Sequence, residues 1–207
     1  MSFFCRNRWK RFGARSSAPF LCARNIWSCI PLVSRRRPRA RTAAHRGRHC
    51  RVHARARPWQ GGLTILIENT AGSEFSLGGS FEQVAEVLDR LRGLVPVGAC
   101  IDTCHTHVAG YDIVSEEGLY QTLQHLDATV GLNRVKVWHC NDAKAARGSK
   151  LDRHQQIGKG TIGKETFRIL LNDLRLAHAA FIAETPIDKP GDDRRNVDAL
   201  KKLVVET

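Results

Sequence analysis

Four short apolar runs, each ending on a carboxylate or an imidazole, constrain this 207-residue chain more than any other feature. Residues 63–67 end on Glu68, 97–101 on Asp102, 135–138 on His139 and 180–183 on Glu184. Their length and β-branched content mark buried strands. The strand ends lie 34, 37 and 45 residues apart, room for a strand plus a crossover helix, which predicts parallel βα units. Ser80 with Gln83 forms a capping-box pattern; Phe81, Val84, Ala85, Leu88 and Leu91 follow at helical spacing, and Gly93 stops the run. Further helices are predicted over 117–129, 166–176 and 196–205. In a parallel barrel the carboxyl ends of the strands open on one face, where sites are built, so the four polar strand ends are expected to converge.

Charge divides the chain in two. Residues 1–60 hold 15 Arg and one Lys with no Asp or Glu, whereas residues 61–207 hold 17 basic against 20 acidic side chains. The head lacks helical or strand periodicity and suits an organellar transit peptide, a basic nucleic-acid or nuclear-localisation arm, or a non-native start fused to a real domain. His45, His49 and His53 recur four residues apart, a spacing read as chance in so irregular a segment. The head is expected to stay disordered or form isolated helical turns, and to contribute no barrel strand. The expected organisation is a head over 1–60 and an α/β, TIM-type (β/α) barrel over 61–207, incomplete at about four βα units. No apolar stretch approaches the roughly 18 residues of a membrane span. Seven cysteines without a repeated short spacing read as reduced thiols of an intracellular protein. The head adds nucleus or mitochondrion as destinations, with the cytoplasm otherwise.

Glu68, Asp102, His139 and Glu184 are hard oxygen and imidazole donors of the kind zinc or manganese accepts. His105 follows Asp102 by three residues. Asp152 and His154, two apart in a loop bounded by Gly148 and Gly158, point the same way in extended backbone. Each alone is as well read as a helix cap or a solvated loop residue; the seven together point to a metal site. Lys150, Arg153, Lys159 and Lys164 fit a solvated loop and phosphate contacts equally. His107 is read as a packing or rim residue, and Tyr111 as packing.

Six motifs occur in a telling order: Glu68-Asn-Thr-Ala-Gly72, Cys100-Ile-Asp-Thr-Cys-His105 with Ala109-Gly-Tyr-Asp112, His139-Cys-Asn-Asp142, Asp152-Arg-His154, Gly158-Lys-Gly-Thr-Ile-Gly163 and Glu184-Thr-Pro186. In that order they resemble the endonuclease IV family (AP endonuclease family 2), zinc-dependent enzymes with a TIM-type barrel and a trinuclear zinc site. The resemblance covers about residues 61–207. It implies a phosphodiesterase of base-excision repair that cuts DNA 5′ to abasic sites, with no membrane and no obligate protein partner. It also implies that Glu68 bridges two zincs, that Asp102, His139 and Glu184 complete the second site, and that His105, Asp152 and His154 form the third. Glu68 or Glu184 would orient the attacking water, and Lys150, Arg153 and Lys159 would contact DNA.

The family's first half supplies two further histidines for the first zinc and residues that penetrate DNA. Neither has a counterpart in residues 1–60, and the 147 residues after the head fall short of the about 250 of a full barrel. The resemblance therefore implies a truncated chain, weak or inactive, holding fewer zincs than the family's three. Two alternatives stand: a metal-dependent sugar isomerase or epimerase on a similar barrel, and a non-catalytic basic nucleic-acid-binding fragment. Removing residues 1–60 tests the second, because a head-driven binder would lose affinity and salt dependence.

Overall fold

In the computed structural model, which describes residues 2–4, 27–31 and 63–205, the four apolar runs are neighbouring parallel strands. They are β3 (Thr64–Glu68), β4 (Val97–Asp102), β5 (Val135–His139) and β8 (Ala180–Ala183). The other strands are β1 (Ser2–Phe4), β2 (Trp27–Pro31), β6 (Asp142–Ala143) and β7 (His154–Gln155). The helices are α1 (Phe81–Leu91), α2 (Thr103–Ala109), α3 (Glu116–Thr129), α4 (Lys164–Asn172) and α5 (Asp192–Lys201). Among the described residues the main sheet runs β1-β8-β5-β4-β3-β2 and does not close, and β6 and β7 form a separate hairpin. This is the incomplete α/β barrel that the strand spacing predicts.

Strand alternation decides what each residue faces. Ile65, Ile67, Ala99, Ile101, Trp138, Phe181 and Ala183 turn toward the helices and pack with Phe81, Leu88, Leu126, Phe167, Leu170 and Leu200. The opposite face carries a separate apolar group of Leu66, Cys100, Val137 and Ile182. Two positions further along each strand lie Glu68, Asp102, His139 and Glu184, so the polar residues form the next layer above that apolar group. The register sets Glu68 opposite Cys100 and Asp102 opposite His139, which aligns the strand ends.

The head departs from its expectation in two places. Trp27–Pro31 pairs parallel with β3, and Ser2–Phe4 pairs antiparallel with β8. Both segments are free of arginine, and the outer edges of β3 and β8 offer unpaired backbone groups that any extended segment can satisfy. The rest of the head, with His45, His49 and His53, lies outside the described residues.

The helices differ from the sequence periodicity at their ends. α1 matches, with Ser80 accepting from Gln83 N–H. α3 starts one residue early, where Ser115 accepts from Gly118 N–H. The predicted 166–176 helix breaks after Asn172, because Asp173 accepts from Arg175 N–H and opens a separate turn over Leu174–Leu176. α5 spans 192–201 rather than 196–205, with Asp192 and Asp193 at its positive end. α2 has no counterpart in the periodicity: its threonines and histidines carry no apolar repeat, and it starts where Asp102 ends β4. Among the described residues no helix is long and apolar enough to cross a membrane.

Phe167 is fully buried between α4 and the sheet. Phe167→Ala is expected to cost about 3–5 kcal/mol of stability, measured by urea unfolding. A cost near zero would show that this layer is not the core.

Candidate metal centre

Each strand delivers one polar side chain to the same point. Glu68 and His139 end β3 and β5, Asp102 ends β4, and Glu184 follows β8 directly. His139 Nδ1 lies 2.8 Å from Glu68 Oε1, 3.0 Å from Glu184 Oε2 and 3.9 Å from Asp102 Oδ2. One donor atom from each of the four sits within 4.8 Å of the others. A ring nitrogen carries at most one proton, so it cannot satisfy three carboxylates. Three buried or half-buried carboxylates converging on one imidazole make a donor set that could hold a cation.

A second group adjoins the first. Asp102 Oδ1 caps α2 by accepting from His105 N–H at 3.0 Å, which sets His105 beside the strand ends. His105 Nε2 lies 3.2 Å from Asp152 Oδ2, and His154 Nε2 lies 3.3 Å from Asp152 Oδ1. Both rings spend Nδ1 on a backbone carbonyl: His105 donates to Asn69 at 2.9 Å and His154 to Glu184 at 3.1 Å. Those bonds fix each ring with Nε2 turned inward, the arrangement that holds a metal-ligating histidine. His154 Nε2 is buried and meets no hydrogen-bond partner, although carboxylate oxygens of Asp152 and Asp102 lie 3.3 and 3.7 Å away. An imidazole nitrogen set among carboxylate oxygens is a place that a shared cation or a proton can fill. Asp102 Oδ2 borders both groups, and Glu68 Oε1 also stands 3.8 Å from His105 Nδ1.

The electrostatics agree. Burial alone would push His105 down, but Asp102, Asp152 and Glu68 outweigh it and lift its pKa to about 10. His154 rises to about 9 against the same burial, through Asp152 and Asp102. The two imidazoles hold Asp152 far below the usual carboxylate range. Burial raises Glu184, with Glu68 and Asp102 adding to the rise against His139.

Sequence reasoning missed the residues beneath the donors. Asn141, fully buried, donates from Nδ2 to Asp102 Oδ2 at 2.6 Å and accepts from Glu184 N–H at 2.8 Å. Asn69 accepts from Asp102 N–H at 2.7 Å and donates to Thr106 at 3.1 Å. Both stand inside the quoted motifs, one or two residues past a strand-end donor, and that adjacency was the available signal. Cys100 and Cys104 also lie within reach of donor sets. Burial and the Asp102 charge push the Cys104 thiol up to about 12.

Lys150, Arg153, Lys159 and Lys164 are exposed, and none enters an ion pair among the described residues. Arg153 Nη1 donates to the Asp152 carbonyl at 2.6 Å. His107 is buried, as a packing reading requires, with Nε2 3.2 Å from Thr161 Oγ1. Tyr111 stacks on Phe81 at 4.2 Å, and its hydroxyl accepts from Phe81 N–H at 3.1 Å.

The shifts set a pH dependence. His105 and His154 carry folded pKa values raised from 6.5 to about 10 and 9, so their contribution is complete below 6.5 and lost as pH rises toward 10. Glu184, also raised, acts in the same direction. With a chelator present, unfolding free energy measured by urea titration is expected to fall between about pH 6.5 and 10. A flat profile would contradict the clustering.

The chain's residues 38–203 match the family model described as xylose isomerase-like TIM barrel. It is 50% identical over 143 residues to "Probable endonuclease 4" of Solibacter usitatus (strain Ellin6076), covering 68% of this chain and 49% of that protein. It is 42% identical over 142 residues to "Probable endonuclease 4" of Cenarchaeum symbiosum (strain A), covering 69% and 51%. The crystal structure of endonuclease IV from Thermus thermophilus superposes with a TM-score of 0.59 at 37% identity, covering 68% of this chain and 49% of that one. The chain thus spans about half the length of the relatives it matches. It belongs to the xylose isomerase-like TIM barrel family, and within it is similar to the endonuclease IV proteins.

Proposed function

We infer that this chain carries two zinc sites of an endonuclease IV-type phosphodiesterase acting on DNA at abasic sites. The observation that supports this most is the division of seven donors into adjoining groups of four and three, joined at Asp102. The relatives' name, endonuclease 4, supports a nucleic-acid phosphodiester as the substrate. Glu68, Asp102, His139 and Glu184 would hold one ion, and His105, Asp152 and His154 the other. When bound, zinc supplies Lewis acidity toward phosphate oxygens and brings the pKa of water near neutrality.

The protein's own part is to position and to exclude. The buried Glu68, 2.8 Å from His139 Nδ1, would help hold the ion of the four-donor group and orient a water on the mouth side. Glu184 is partly open to solvent and is the other carboxylate able to hold that water's proton. Lys150, Arg153 and Lys159, exposed on the loop that carries Asp152 and His154, would contact backbone phosphates and fix register without reading bases. Manganese suits the oxygen-rich group of four as a replacement ion. A sugar isomerase shares the strand-end carboxylates, but the Asp152–His154 pair and the endonuclease 4 relatives favour the nuclease.

Elemental analysis of the folded chain is expected to find about two zincs at most; three, or none, would count against the assignment. Histidines for a further zinc are not evident in the sequence, so cleavage of an abasic duplex by this chain alone is expected to be weak. Glu68→Gln is expected to lower it little further, whereas the same change in a full-length relative should nearly abolish cleavage. Robust, chelator-sensitive cleavage by the 207-residue chain would overturn this reading of the deficit.

A further inference from the structure

Two carboxylates in the quoted motifs belong to neither donor group, Asp112, which pairs with Arg147, and Asp142. Asp142 is fully buried, three residues past His139, and no cationic side chain pairs with it among the described residues. Its charge is met by backbone. Oδ1 accepts from Ala143 N–H at 2.8 Å and Ile162 N–H at 3.0 Å, and Oδ2 from Gly158 N–H at 2.9 Å and Gly160 N–H at 3.0 Å. Four amides closing on one carboxylate form an anion nest built from a single loop and its anchor. Glycine makes the wrap possible. Gly158 has φ +75°, and a Cβ at Gly160 would stand 2.4 Å from Asp142 Oδ1 and 2.3 Å from the Ala143 carbonyl oxygen.

The nest touches the donors through backbone. β6, which begins at Asp142, pairs antiparallel with β7, and Ala143 stands opposite His154. Lys144 N–H donates to the Arg153 carbonyl at 2.8 Å, while Thr161 N–H donates to the Ala143 carbonyl at 2.8 Å. The 142–144 segment is therefore gripped on one side by the glycine loop and carries residues 153–154 on the other. Asp152 has a side chain 54% exposed, with little packing of its own to hold it toward His105. The hairpin sets its place.

We propose that Asp142 is a positioning residue for the His105–Asp152–His154 group, acting by closing the Gly158–Ile162 loop around β6 and thereby holding β7. This rests on the reading of that group as a zinc site. A merely structural role would weaken both donor groups and the fold together; a positioning role separates them, because Glu68, Asp102, His139 and Glu184 hang from the main sheet and not from the hairpin.

The test is zinc titration by calorimetry, with elemental analysis, on the full chain and on Asp142→Asn. Asn keeps the volume, but its amide sets an NH2 where an acceptor is needed. The variant is expected to keep the affinity of the four-donor site while losing about 10- to 100-fold at the three-donor site. Unchanged affinity at both sites, or an equal loss at both, overturns the proposal. Failure of the underlying reading shows differently: unmodified chain whose zinc affinities are all unchanged by His154→Ala has no site there, and the proposal falls with it. Should Asp142→Asn not fold, two other observations decide. The amides of Gly158, Gly160 and Ile162 in the unmodified chain are expected to resist hydrogen exchange, and Gly160→Ala to show the same selective loss of zinc. Free exchange at these amides, or full zinc affinity in Gly160→Ala, overturns it.

Discussion

Everything at the mouth of this sheet depends on one unfavourable fact, the convergence of carboxylates on the ring of His139. Glu68 and Glu184 approach one ring nitrogen at 2.8 and 3.0 Å, and Asp102 waits at 3.9 Å. Burial makes that crowding costly, since desolvated negative charges repel with little screening. The surrounding structure is organised to hold it anyway. Asn141 ties Asp102 to the backbone of Glu184, Asn69 ties Asp102 to the backbone after β3, and two carbonyls lock the rings of His105 and His154. A protein that spends buried polar groups to aim carboxylates at one another is prepared for a cation.

The sheet supplies the alignment and the loops supply the second group. Parallel strands in matched register deliver one donor each from β3, β4 and β5, with the β8 donor just beyond its strand. The three-donor group depends on α2 for His105 and on the β6–β7 hairpin for Asp152 and His154. The first group is thus as rigid as the core beneath it, and the second only as rigid as the loop that closes on Asp142.

Most of the strand layout was legible in the sequence because strand periodicity and the polar strand ends are the same signal. The apolar runs that mark β3, β4, β5 and β8 also say where each ends, and the ends are the donors. Reading failed where structure is made by capping or by tertiary pairing. α2 has no apolar stripe and exists because Asp102 caps it. The break at Asp173 and the start of α5 are side-chain choices that periodicity blurs. β1 and β2 form because edges of a sheet recruit extended backbone, a demand set by the partner strands and not by the head's own sequence. Asn69, Asn141 and Asp142 stood in plain view beside the donors, but their roles are hydrogen-bond geometry, which no spacing rule encodes.

The most direct test of the seven-donor centre is zinc-edge X-ray absorption on the full chain loaded with two equivalents of zinc. Oxygen and imidazole-nitrogen ligands alone, at about 2.0–2.2 Å, are expected. A sulfur shell at about 2.3 Å would place Cys100 or Cys104 among the ligands and contradict the division into carboxylate and histidine groups.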